Sequence, residues 1–80
     1  MTQEEKNILD ALICGWRSKS ARTLAASMGA CPEEVAATMV GVPPEIRPII
    51  LQTIAYTSQI CATELSDTVG KMENDRHGNN

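Results

Sequence analysis

Residues 21–40 read Ala21-Arg22-Thr23-Leu24-Ala25-Ala26-Ser27-Met28-Gly29-Ala30-Cys31-Pro32-Glu33-Glu34-Val35-Ala36-Ala37-Thr38-Met39-Val40, and their punctuation decides the fold. Ser20, just ahead, can cap a short helix through Arg22, Leu24, Ala25 and Met28. Gly29 closes that helix, because a left-handed backbone is least costly at glycine. Pro32 suits the first position of the next helix, where the N–H it lacks would be unsatisfied anyway. Glu33 and Glu34 follow at the positive end of its dipole. Val35, Met39 and Val40 supply an apolar side, and Gly41 closes this helix as Gly29 closed the one before. Two short helices with a tight connection are expected.

On the N-terminal side, Thr2 followed by Glu5 fits a capping box. Behind it Ile8, Leu9, Leu12, Ile13 and Trp16 span about 140° of a helix circumference, an amphipathic stripe. Gly15 and the polar run Arg17-Ser18-Lys19-Ser20 mark its end, which predicts a first helix over residues 3–16. On the other side, Val42-Pro43-Pro44 is an extended linker, since residues before proline avoid the α region. Pro48 must lie in the first turn of the last helix, so that helix starts between Pro44 and Pro48 and runs to about Val69. Residues 71–80 hold one apolar residue, Met72, and read as a flexible polar tail on a single domain of residues 1–70. The predicted fold is all-α with four helices: a tri-helical core of helix-turn-helix type plus a long C-terminal helix.

Composition narrows the function. Eighty residues make one domain, and Leu, Ile and Val together number sixteen, so the core is small and a partner subunit is expected to add to it. The longest run of large aliphatics, Ile49-Ile50-Leu51, is far short of a membrane span. The start, Met1-Thr2-Gln3-Glu4-Glu5, is acidic where a targeting peptide would be basic. Cys14, Cys31 and Cys61 are odd in number and form no C-x-x-C pair, so packing thiols in a reducing, cytoplasmic setting are expected. The single histidine, His77, falls in the polar tail and reads as a solvated residue. There is no zinc-site spacing, phosphate loop or nucleophile elbow. No catalytic residue, metal or cofactor is expected.

The middle segment resembles the helix-turn-helix of bacterial and phage regulators. In that family a small residue sits where the two helices cross, a glycine follows four residues later, and a β-branched residue six further on. Ala25, Gly29 and Val35 hold this spacing, with Leu24 and Met28 as the flanking core positions. The resemblance covers about twenty residues. Cys31 stands where the family prefers a serine cap, Thr38 where it has an aliphatic, and Ala30 is smaller than the usual residue. The resemblance implies that Ala25 lies at a helix crossing and that the helix after the turn is a recognition helix presenting Glu33, Ala36 and Ala37.

Recognition helices read bases with Arg, Lys, Asn or Gln, and none stands at those positions. Phosphate contacts would fall to Arg17, Lys19 and Arg22. Seven basic against ten acidic side chains leave a net charge of −3, which works against binding a polyanion. On the long helix, Ile46, Ile50, Leu51, Ile54, Cys61, Leu65 and Val69 form one stripe, while Ile49, Tyr56 and Ile60 lie on another face. The second stripe predicts a homodimer interface. The motif spacing puts a dimeric DNA-binding transcriptional regulator first. The alternative is an acidic helical module, antirepressor- or inhibitor-like, that binds another regulatory protein and not DNA.

Overall fold

A computed structural model describes the backbone of residues 1–78 and the side chains of residues 1–74. The elements are α1 (Gln3–Ser27), α2 (Pro32–Thr38), a 3₁₀ turn (Pro44–Ile46) and α3 (Arg47–Gly78), with no strand among the described residues. The all-α expectation holds, but the four-helix count does not. The first two predicted helices are one unbroken helix of 25 residues. Gly15 costs such a helix only about 1 kcal/mol relative to alanine. Against that stands a seam of Leu9, Ile13, Trp16, Ser20 and Thr23, at steps of three and four, that runs straight through the polar stretch and faces α3.

The predicted capping box is present: the Glu5 N–H donates to Thr2 Oγ1 at 3.1 Å, and the Thr2 N–H donates to Glu5 Oε1 at 2.9 Å. Ser20, read as a cap, lies within α1, and its hydroxyl donates instead to the Ala55 carbonyl of α3 at 2.7 Å.

At the far end of α1, Gly29 adopts φ 104°. The Ala30 N–H reaches the Ala25 carbonyl at 3.1 Å and the Gly29 N–H reaches Ala26 at 3.2 Å, the paired bonds of a Schellman motif. Cys31 also sits in the left-handed region, φ 54°, and precedes α2 without a side-chain cap bond. Pro32 opens α2 as expected, and Gly41, at φ 87°, turns the chain after it, with the Val42 N–H on the Met39 carbonyl at 3.0 Å. Arg47 Nε then donates to the Val42 carbonyl at 2.9 Å, tying the linker to the start of α3.

The long helix returns antiparallel to α1, so that Ser20 meets Ala55 near the tip while Met1, Leu9 and Met72 line one groove at the open end. Leu51, Ala55, Ser58, Ala62, Leu65 and Val69 repeat at alternating steps of four and three, a heptad seam. The fully enclosed positions are small: Ala62 is 0 % exposed and Ala55 3 %, which lets the two backbones approach closely. Leu51, Ile54, Cys61, Leu65 and Val69 belong to the predicted stripe, and the alanines beside them complete it. Among the described residues the buried ones are Ile13, Ala55, Ser58, Ala62 and Val69, whereas Ile46, the first residue of the predicted stripe, is exposed because it precedes α3 in the 3₁₀ turn. α3 continues to Gly78, past the expected end near Val69, because Gly70 costs no more here than Gly15 does in α1. The hairpin measures 56 × 19 × 18 Å, with a radius of gyration of 16.9 Å against about 11.6 Å for a compact domain of this length.

Candidate interaction surfaces

The short helix α2 turns Val35 and Met39 inward, half-buried, and presents Glu33, Ala36 and Ala37 to solvent. The predicted recognition positions therefore lie together on an open face, one that carries a carboxylate and two methyl groups. Glu34 is exposed beside them. Ala25, expected inside a helix crossing, is exposed, as are Leu24 and Met28, expected as core positions beside it, because this end of α1 lies off the seam, and the Ala25 carbonyl serves the Schellman motif.

The three predicted phosphate contacts divide. On one continuous helix Lys19 and Arg22 lie about 60° apart, whereas Arg17 lies about 160° from Lys19. Lys19 and Arg22 both line a cleft of about 460 Å³ at the tip, together with Val35, Leu51 and Ile54, and Glu34 lines it too. Arg17 stands outside that cleft, on the helix side that the unbroken α1 turns away from it.

The predicted second stripe is on the surface: Ile49 is 62 % exposed, Tyr56 70 % and Ile60 40 %. A further apolar surface escaped the sequence reading. Ile8 and Leu12, counted with the core stripe of the first helix, are exposed, as is Met72, while Leu9, Ile13 and Trp16 of that stripe do turn inward. Ile8, Leu9, Met72 and Met1 line a groove of about 420 Å³ at the open end, with Glu5 in its wall. The readable signal was the width of the α1 stripe, broader than a single partner helix can cover.

Cys14 and Cys31 are exposed and Cys61 is half-buried, and all three are free thiols. The packing role expected of all three therefore fits Cys61 alone. Among the described residues no group of three His, Cys, Asp or Glu side chains comes together. The side chain of His77 lies outside the described residues. No described helix is long and apolar enough to cross a membrane. The geometry defines a class, an antiparallel α-helical hairpin with a short tip helix and uncovered apolar faces. Comparison with protein-family models, curated proteins and solved structures finds no match for this chain.

Proposed function

We propose that this chain is an acidic helical interaction module, antirepressor- or inhibitor-like, that works in the cytoplasm as a homodimer and binds another regulatory protein rather than DNA. The observation that carries this reading is the apolar surface of the hairpin: Ile8, Leu12, Ile49, Tyr56 and Met72 are all more than two-fifths exposed on a chain of net charge −3. Large apolar side chains in contiguous exposed patches mark interaction sites. The open-end groove, lined by Met1, Ile8, Leu9 and Met72, offers an apolar seat for an amphipathic segment of the partner.

The second reading, a DNA-binding helix-turn-helix regulator, is favoured by one observation, the tight α1–α2 turn with Gly29 at positive φ and Val35 packed behind it. The two readings separate in a gel shift on the DNA around the protein's own gene, run from low to physiological salt. No complex at low salt supports the protein-binding role. A complex whose affinity falls steeply with salt overturns it.

A further inference from the structure

We infer that the outer face of the first half of α3 pairs with the same face of a second copy, antiparallel about a two-fold axis near Ile54 and Ala55, with Ile49 of one copy against Ile60 of the other and Thr53 against Tyr56. The inference rests on the two-copy reading above and specifies its surface and register.

Residues 48–63 contain no charged side chain on any face of the helix. A helix that stays exposed along one side ordinarily carries charge there. α1 covers the side of Leu51, Ala55, Ser58 and Ala62. About 160° away lie Ile49, Thr53, Tyr56 and Ile60, a second seam uncovered within one chain. Depleted charge around an aromatic anchor is also the composition of an interface core. The chain's surface of 5849 Å² exceeds the roughly 4,700 Å² of a compact monomer of its mass. The excess, about 1,100 Å², belongs to the elongated hairpin as a whole, and pairing of two copies covers part of it.

The spacing permits an antiparallel pair, and the placement of charge selects it. From Ile49 to Thr53 is four residues, to Tyr56 three, and to Ile60 four, and this order reads the same from either end. In an antiparallel pair each a position faces a d position, which is what matching Ile49 with Ile60 and Thr53 with Tyr56 produces. The flanks then set Gln52 beside Gln59 and Ile50 beside Thr57, with no like charges opposed. In a parallel pair the same seam would stack Asp67, seven residues beyond Ile60, on its own counterpart. Antiparallel pairing carries Asp67 past the start of the other α3. Covering the threonines orphans no donor, because Thr53 Oγ1 already donates to the Ile49 carbonyl at 2.9 Å and Thr57 Oγ1 to Thr53 at 2.8 Å.

Sedimentation of the full chain tests the pairing, and cysteine cross-linking tests the register. Wild type is expected to run as a dimer at high micromolar concentration, and Tyr56→Glu at half that mass with unchanged helicity, since Tyr56 touches little within one chain. With Cys14, Cys31 and Cys61 replaced by Ser, a mixture of Ile49→Cys and Ile60→Cys chains should form disulfide dimers at least ten-fold faster than either variant alone. In either variant alone the two thiols stand about 16 Å apart along the axis. Fast cross-linking of Ile49→Cys by itself overturns the antiparallel register and leaves the pairing standing. A monomeric wild type, or a Tyr56→Glu dimer, overturns the inference outright, and neither result bears on the gel shift.

Discussion

The hydroxyl of Ser20, in the last third of α1, donates to the backbone carbonyl of Ala55 in α3 at 2.7 Å. This bond stands in for a core side chain at a layer of the α1–α3 seam built from small residues. The hydroxyl that would otherwise be stranded at the seam finds an acceptor across it.

Replacing Ser20 with Ala should cost about 0.5–1 kcal/mol in urea melts, the low end for a hydrogen bond. The loss is modest because a carbonyl inside a helix also accepts from the amide four residues on. A loss above about 2 kcal/mol would mean that the hydroxyl holds more of the hairpin than this one contact.

Ala62→Leu places three extra carbons where the native side chain is 0 % exposed. It should overpack the seam and destabilise by about 1–3 kcal/mol. Ala25→Leu, on an exposed turn, should stay within about 0.5 kcal/mol of wild type. The reverse ranking in thermal melts would return Ala25 to a helix crossing and undo the hairpin geometry.

Two glycine substitutions should move stability in opposite directions. A Cβ at Gly15 would meet nothing within 4 Å, and the residue sits inside α1, so Gly15→Ala should stabilise by about 0.5–1 kcal/mol. Gly29 is just as open, but its φ of 104° is strained for any side chain. Gly29→Ala should cost about 1–2 kcal/mol. If Gly15→Ala destabilises instead, α1 is broken there in solution.

Should the protein bind DNA, geometry expects unequal roles for the basic residues. Neutralising Lys19 and Arg22 together would lower the salt slope by about two units, while Arg17→Gln would lower it by less than one. Equal effects from all three would require a surface that the unbroken α1 does not offer. Under the protein-binding reading none of the variants alters a gel shift, since no complex forms.

Turn chemistry was legible from residue type. Gly29, Pro32 and Gly41 stand where their backbone preferences placed them, and Pro44 and Pro48 bracket the start of α3. Helix ends marked only by weak breakers were not, because Gly15 and Gly70 cost about 1 kcal/mol each and a long packed seam outweighs that. Ser20 misled for a related reason: a serine after a polar run satisfies the rule for a cap, and nothing local reveals an acceptor 35 residues away. The stripe of large aliphatics located the inner side of α3 yet passed over Ala55, Ser58 and Ala62, since close approach selects small residues. The same bias misassigned Ile8 and Leu12, whose apolarity says nothing about whether a neighbour exists to cover them.

The antiparallel layout sets an order in time. Ser20 and Ala55 are 35 residues apart, and the layers beyond them join residues ever farther apart along the chain, ending with Leu9 and Met72. Closing the open end first would restrain a loop of nearly the whole molecule, whereas closing the tip first leaves each later layer only a few residues to capture. Assembly is therefore expected to zip outward from the tip, and opening to run backwards from Met1 and Met72. The groove proposed to receive a partner lies at the end that forms last and loosens first, so its amides should exchange with deuterium ahead of those around Ser20, and a bound partner should slow that exchange there before anywhere else.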